Sequence, residues 1–456
     1  MNNIFRVIAG SIFCLVFVSC QSYKPMAIVP KDIFEELSEN RKLPKNESEF
    51  TLMAAEKVMS QRNRSLRKLR LEYEKLQKIA DIKTPFPNPS IEFGPSFGSH
   101  LEGAEASSTQ PFVGLGFTIP LGPRLARNDD LNKAKELQAY NKIVIEHRKL
   151  YLELRKAFID YQLSQQNLEV TAKLEKTLGI SKKTTEKLIE LGTATKLGLS
   201  QVMLQISELK ILKADFKSQL EESKSVLASL LDISISEVSK LKLKKLKHND
   251  INFKLKEMNE IALDNSFELA AEEMEFYILD FELKLELAKQ YPDLNFGVSS
   301  EDEVGEKKRT ISIPFSIELP VFDRNQHSIS EAFSNRQNKI EDYKSILVDT
   351  LTNLEKLYLQ YQHSKSKVKM ISEDIIPLAK ETVLDAEKSL KFGSIDILRY
   401  LDLVIQNQKY QLEAISQEKD LWEKAFLLEK TAGYPFVQFN QNKQANLKKS
   451  FKDMVK

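Results

Sequence analysis

From Thr310 to Pro320 the chain alternates in the manner of an extended strand. Ile311, Ile313, Phe315, Ile317 and Leu319 fall on one side, and Thr310, Ser312, Ser316 and Glu318 on the other. Period-two alternation is the signature of a strand with one apolar face, and about ten residues is the length that a membrane-crossing strand needs. A second stretch, Phe112-Val113-Gly114-Leu115-Gly116-Phe117-Thr118-Ile119-Pro120, ends the same way. Each is closed by a proline and followed by a helical pattern far longer than an ordinary domain requires. Ile311, Ile313, Phe315 and Ile317 are therefore the candidate lipid-facing residues.

The remaining chain repeats around these two strands. A charged helix is expected over residues 49–83, stopped by Pro85, Pro87 and Pro89. A strand near 89–98 and the strand near 111–120 follow. One helix is then expected over 123–189, with Leu137, Val144, Tyr151 and Phe158 interleaved at heptad spacing with Tyr140, Leu154, Tyr161 and Leu168. Leu191-Gly192-Thr193 makes a turn and a second helix returns to about residue 231. The second half has a helix over 252–290, strands near 292–300 and 310–320, and a helix carrying Ile340, Leu347, Leu354, Tyr361, Val368 and Ile375 at seven-residue intervals. A kink is expected in that helix at Pro377. Phe392-Gly393-Ser394 turns into a last helix that runs to residue 432.

Pro89-Ser90-Ile91-Glu92-Phe93-Gly94 matches Pro292-Asp293-Leu294-Asn295-Phe296-Gly297, Ile119-Pro120 matches Leu319-Pro320, and Leu191-Gly192 matches Phe392-Gly393, at offsets of 203, 200 and 201. Landmarks in so constant a register mark a duplication. The expected division is a processing segment at 1–19, a linker at 20–47, a first repeat at 48–232, a basic linker at 233–251 with solvated lysines, a second repeat at 252–433, and a polar tail at 434–456.

Four apolar-faced strands cannot close a barrel alone, and open strand edges are not tolerated in lipid. Three copies would supply twelve strands, an even number within the range of outer-membrane barrels. They would also bring the long heptad helices together as a second, helical cylinder. The expected fold class is thus mainly α with a small β part: a duplicated helix-strand-strand-helix-helix protomer whose trimer forms a 12-stranded β-barrel continued by a long α-helical barrel.

Composition removes other classes. Among 456 residues, Lys plus Arg is 67 and Asp plus Glu 65, a balance without the electrostatic footprint of a nucleic-acid binder. Both cysteines, Cys14 and Cys20, lie in the first twenty residues, so no thiolate metal site or disulfide framework is expected beyond them. His100, His147, His248, His327 and His363 are scattered, no catalytic motif occurs, and neither enzyme activity, cofactor nor metal site is expected. At the N-terminus, Arg6 precedes an apolar run from Val7 to Val18, too short to span a membrane. Phe17-Val18-Ser19-Cys20 resembles a bacterial lipobox, with Phe17 in place of the usual Leu, and makes Cys20 the candidate lipidation site; an ordinary signal peptide cleaved nearby is the alternative.

The whole plan resembles the TolC-like outer-membrane efflux channels of tripartite transporters over about residues 45–433. The residues that carry the resemblance are the corner Leu319-Pro320-Val321-Phe322-Asp323-Arg324-Asn325-Gln326, the pair Ile376-Pro377, and Phe392-Gly393-Ser394 followed by Ile397-Leu398. The Phe-Asp-Arg-Asn-Gln string looks most like the heavy-metal-cation branch, where Gly usually follows Gln; here His327 does.

The resemblance implies a homotrimeric, lipid-anchored exit duct in the bacterial outer membrane, with a long periplasmic part. It implies a periplasmic adaptor (membrane fusion) protein and an inner-membrane pump, such as a resistance-nodulation-division transporter, as partners. It further implies that the tips, Leu191, Gly192, Thr193, Phe392, Gly393 and Ser394, meet the adaptor. Counting from Gly393, Asp402 matches a carboxylate that rings the channel mouth in the family, and Arg399 stands where the other carboxylate would be. The spacing allows an i, i+3 pair between the two: an Arg-neutralised ring would be weakly selective, and an unpaired Asp402 ring would favour cations. The alternative class is a structural coiled-coil lipoprotein, periplasmic or surface-exposed, without a channel: the heptads fit it equally well, the four proline-bounded strands do not.

Overall fold

The structure, a computed structural model, describes residues 23, 25–42, 50–98, 108–192, 195–246, 251–303 and 308–437. Cys20, Thr193, His100 and His248 lie outside them. The chain divides into two units, residues 1–46 and 47–456. In the first, α1 (Pro30–Asn40) starts on a proline at its N-terminal turn, where a missing N–H costs nothing.

The second unit contains everything else. Its elements run α2 (Leu52–Arg62), α3 (Arg64–Asp81), β1 (Ser90–Gly98), β2 (Ser108–Pro120), α4 (Arg124–Glu190), α5 (Lys196–Leu231), α6 (Ile235–Lys240), α7 (Leu255–Asn265), α8 (Phe267–Ala288), β3 (Asp293–Glu303), β4 (Lys308–Ser312), β5 (Phe315–Ile317), α9 (Gln326–Met370), a π turn (Ile371–Ile375), α10 (Ile376–Lys391) and α11 (Ile397–Ala432). At about 1.5 Å per residue the 67 residues of α4 span on the order of 100 Å. No helix among the described residues is long and apolar enough to cross a membrane.

Two expected helices are each broken in two. The helix expected over 49–83 breaks at Asn63 (φ −56°, ψ 129°), and the one expected over 252–290 breaks at Ser266 (φ −55°, ψ 130°). Asn63 is buried; its Oδ1 accepts from the backbone N–H groups of Ser65 and Leu66, and its Nδ2 donates to the Leu230 carbonyl at 3.2 Å. Asn competes with the helix for its own backbone bonds, which is why it caps rather than continues one. The partner carbonyl lies 167 residues away, out of reach of any local pattern.

The expected strand over 310–320 is also interrupted. β4 and β5 pair with β3 in one continuous register, Ser312 with Ser299 and Phe315 with Phe296, but the ladder lapses at Ile313 and Pro314. Pro314 has no N–H to give; its carbonyl still accepts from Gly297 N–H at 3.0 Å. Strand pairing stops at Ile317, so Leu319 and Pro320 lie beyond it.

The sheet is antiparallel in the order β1-β2-β3-β4, with β5 continuing the outer strand. Directly paired residues share a face. Ile91 pairs with Leu115, Leu115 with Val298, Phe117 with Phe296, and Phe296 with Phe315, so one face is largely apolar, with Ser300 between Val113 and Ile311 as an exception. The other carries Glu92, Gly114, Gly116, Thr118, Asn295, Gly297 and Ser299.

The main core lies along the middle of α4, α9 and α11, where Phe158, Tyr361, Trp422 and Phe426 are buried. The polar tail expected from residue 434 does not begin at the surface. Phe436 and Val437 are buried in that core, and the Phe253 ring meets Tyr434 edge-on and Phe436 at a tilt. In the basic linker, Lys242, Lys244 and Lys245 are exposed as expected, whereas Ile233 and Val238 are buried and Phe50 bridges to Leu243. Of the expected seam tyrosines, Tyr161 and Tyr361 are buried; Tyr140 instead stands exposed against Tyr73. At Pro377 the ladder widens into the π turn just before the proline, which relieves the clash a proline ring makes with the preceding turn.

Candidate functional site

Three features stand out from the bundle: the apolar sheet face, the two hairpin tips, and the turn leading into α11. On the sheet, Ile311, Ile313, Phe315 and Ile317 are all exposed in the single chain, as are Ile91, Phe93, Val113, Leu115, Phe117, Ile119 and Val298. Phe117, Phe296 and Phe315 form a stacked row across three strands, with ring centroids 5.2 and 6.3 Å apart. Among the described residues, β1 and the β4–β5 strand have no outer neighbour within the chain. A broad apolar face with two unpaired edges is not a stable arrangement in water. Close strand approach on the opposite face requires glycine: a Cβ on Gly297 would lie 3.0 Å from the Leu115 carbonyl oxygen.

The corner joining β5 to α9 accounts for the Phe-Asp-Arg-Asn-Gln string. Asn325 adopts left-handed backbone (φ 58°), which asparagine tolerates better than most residues. Its Nδ2 donates to the Glu286 carbonyl at 3.0 Å and to the Glu286 carboxylate at 2.7 Å, tying the corner to the end of α8. Asp323 Oδ1 accepts from the Asn325 N–H, Gln326 Oε1 from the Arg324 N–H, and Arg324 Nε donates to the Pro320 carbonyl. The motif is thus a self-bonded turn that sets the strand-to-helix angle.

At the far end, Gly192 (φ 74°) and Gly393 (φ 71°) close the two hairpins in the left-handed region that glycine enters without strain. Leu191 and Phe392 beside them are exposed, Phe392 at 85%. Ser394 N–H donates to the Ser389 carbonyl at 2.8 Å, completing the turn. The hairpins lie side by side: Leu174, Leu178, Val202, Leu209, Leu401 and Val404 form one cluster, and Gly198 packs against Leu398. Arg399 and Asp402 are exposed one turn apart on α11 and do not pair with each other. Asp396 instead caps the helix, accepting from the Arg399 backbone N–H at 2.7 Å. Nearby, Lys391 and Glu387 pair at 2.8 Å; that hydrogen bond holds the Glu387 carboxyl below its ordinary range and the Lys391 ammonium above its own.

One interaction was not anticipated. Arg155 on α4 and Glu429 on α11, both 0% exposed, are joined by two side-chain bonds of 2.7 and 3.3 Å. Val437 completes the clasp, its carbonyl accepting from Arg155 and its N–H donating to Glu429. Burial pushes the Glu429 carboxyl up, and Arg155 with the backbone N–H groups of Val437 and Phe436 draws it back. The signal was present as two charges on apolar stripes, Arg155 between Leu154 and Phe158 and Glu429 between Phe426 and Ala432. No group of metal-ligating side chains occurs among the described residues.

No family model matches the chain. The cobalt-zinc-cadmium resistance protein CzcC of Cupriavidus metallidurans is 24% identical over 146 residues, a match covering 32% of this chain and 35% of that relative. The chain thus spans about a third of its curated relative's length in the match. Among solved structures, the outer-membrane channel OprN superposes with a TM-score of 0.69 at 14% identity, over 92% of this chain and 99% of that one. The fold is that of the outer-membrane channels. CusC, whose crystal structures describe transmembrane channel formation, gives a TM-score of 0.67 at 16% identity, over 91% of this chain and 99% of its own.

Proposed function

We propose that this protein is the outer-membrane exit duct of a tripartite efflux system, conducting substrates passively from an inner-membrane pump and its periplasmic adaptor to the outside. The observation that carries this reading is the four-stranded sheet with its apolar face exposed and both edges open. Three copies close it into twelve strands, with Ile311, Ile313, Phe315 and Ile317 toward lipid and the long helices continuing as a periplasmic cylinder. The matching halves support a duplicated protomer: Asn63 and Ser266 break their helices alike, and Asp232 and Gly433 end α5 and α11 in the same left-handed backbone. Cys20 is the lipid anchor. The name of CzcC favours heavy-metal cations as substrate. A coiled-coil spacer has no use for such a sheet.

The reading is tested by mass measurement in detergent and by conductance in planar bilayers. The wild-type chain is expected as a trimer that conducts. Ile317→Asp places a charge on the lipid face in all three copies at once, and is expected to abolish both trimer and conductance. A stable membrane-inserted monomer, or normal assembly of Ile317→Asp, would overturn it.

The tips Leu191, Gly192, Thr193, Phe392, Gly393 and Ser394 are assigned to adaptor docking. The substitution Gly393→Val strains the left-handed turn but meets no neighbouring atom. It is expected to abolish export in cells while trimer and membrane insertion persist; unchanged export in a Gly192→Val, Gly393→Val double variant would sink the assignment. At the mouth, Arg399 and Asp402, not paired with each other, put six charges on the trimer's rim, where low-dielectric walls focus the field. Asp402→Asn is expected to shift bilayer selectivity away from cations and Arg399→Ala toward them. An unaltered cation-to-anion ratio in both would place these residues away from the conduction path.

A further inference from the structure

The polar face of the sheet carries one large apolar side chain among its described residues. Phe112 stands on β2 in the company of Gly94, Gly114, Gly116, Thr118, Asn295, Gly297 and Ser299. It is half-buried, and among the described residues no other ring meets it. Bare backbone makes room for what lies beside it. A Cβ on Gly114 would come within 3.1 Å of the Phe112 Cζ, so the ring leans along β2 over Gly114. A Cβ on Gly116 would lie 4.0 Å from Glu92 Oε1, so that carboxylate reaches from β1 across to the same strand. Glu92 is the register partner of Gly114, and Glu301, on the other side, is the register partner of Phe112 itself. A carboxylate therefore flanks the ring on each neighbouring strand, with β1 and β3 two strand spacings, about 10 Å, apart. Glu92, Gly94, Phe112 and Glu301 line one shallow concavity together with neighbouring residues of β1. Neither carboxylate has a hydrogen-bond or ion-pair partner among the described residues. The nearest cation by register on that face, Lys308, stands opposite Glu303 one row further out.

A half-exposed ring on a wall of glycine and small polar residues buries little by being there. With an unpaired carboxylate on either side it offers an aromatic face and negative charge together, the combination that holds a cation carrying apolar groups. We propose that Phe112, Glu92 and Glu301 form a binding subsite for organic cations of the quaternary-ammonium kind on the lumenal wall of the duct, three to a trimer. The subsite rests on the membrane reading above: with the apolar face toward lipid, the polar face lines the lumen. Phe112 is eight residues from Pro120, the helix-side end of β2, roughly 26 Å along the strand. The subsite therefore lies toward the outer end of the barrel, a helix length and more from Arg399 and Asp402. A hydrated metal ion would draw on the carboxylates and gain nothing from the ring.

Potassium current through the trimer in planar bilayers tests it, with tetrabutylammonium added on the outer side. In the wild-type channel the current is expected to fall saturably. Phe112→Leu keeps the apolar bulk and removes the aromatic face, and is expected to raise the half-effect concentration about fivefold. Phe112→Trp enlarges that face and is expected to lower it. Glu92→Gln with Glu301→Gln is expected to raise it at least as far as Phe112→Leu does. If the wild-type channel conducts but tetrabutylammonium has no saturable effect, or has the same effect on Phe112→Leu and Phe112→Trp, the subsite is wrong while the exit-duct reading stands. If the wild-type chain does not conduct, that reading fails and the subsite with it. Zinc ions are the second probe. A saturable zinc effect that Glu92→Gln with Glu301→Gln removes and Phe112→Leu leaves, without any effect of tetrabutylammonium, would make the carboxylates a metal subsite and overturn the organic-cation assignment.

Discussion

Glu429→Ala is expected to cost about 3–5 kcal/mol of stability. The residue is wholly buried, and so is Arg155, whose guanidinium would lose its carboxylate and keep the neutral Val437 carbonyl. Desolvating an ion is tolerated only when its partner is present; removing one side leaves a charge in the core between Tyr151 and Phe426, over whose rings it sits at 5.8 and 5.4 Å. The same change frees the Val437 N–H, so Phe436 and Val437 are expected to leave the core together. Denaturant unfolding of the detergent-solubilised protein, followed by circular dichroism, gives the magnitude. Arg155→Met combined with Glu429→Leu is expected to recover most of the loss, because replacing both members of a buried pair with apolar groups is often neutral. A single variant within about 0.5 kcal/mol of wild type, the range of ordinary surface substitutions, would mean the clasp contributes nothing.

Gly433→Ala is expected to be the most damaging glycine substitution. Gly433 ends α11 with φ 66°, and a Cβ there would lie 1.8 Å from the Asn265 carbonyl oxygen, in the break between α7 and α8. Left-handed backbone costs a non-glycine residue roughly 1–2 kcal/mol, and displacing packed backbone adds about 1–3 kcal/mol. Gly192→Ala separates the two effects. Its φ is 74° but no atom stands within 4 Å of the added Cβ, so only the strain remains. Thermal unfolding is expected to show Gly433→Ala well below Gly192→Ala; equal midpoints would show that the α7–α8 break gives way freely.

The counterpart of Gly433 in the first half is Asp232, a non-glycine residue at φ 48°, ion-paired with Arg64 at 3.0 Å. The two halves thus solve one packing problem differently. In the first, the Asn63 side chain reaches across to the Leu230 carbonyl at 3.2 Å. In the second, backbone approaches backbone, which only glycine permits.

Local pattern alone determined the large elements. Seven-residue spacing placed α4 within a residue or so at each end, because a helix of that length has only its own 3.6-residue period to obey. Alternation located all four strands and their apolar face, because a strand's side chains have only two directions to take. The glycine turns at 192 and 393 were legible for the same reason: left-handed backbone is written in one residue type. Tertiary structure decided the rest, in each case through partners distant in sequence. Asn63 breaks its helix where the Leu230 carbonyl is in reach, Pro314 interrupts a strand only in relation to Gly297 opposite it, and Phe436 and Val437 are core because Arg155, more than 270 residues earlier, holds them there. Arg399 and Asp402 had the spacing to pair and remained apart, whereas Glu387 and Lys391, also exposed on one helix, do pair; spacing permits such a pair without deciding it. A period records which residues share a face. Which buried charge or carbonyl meets them across that face is settled only when the helices pack.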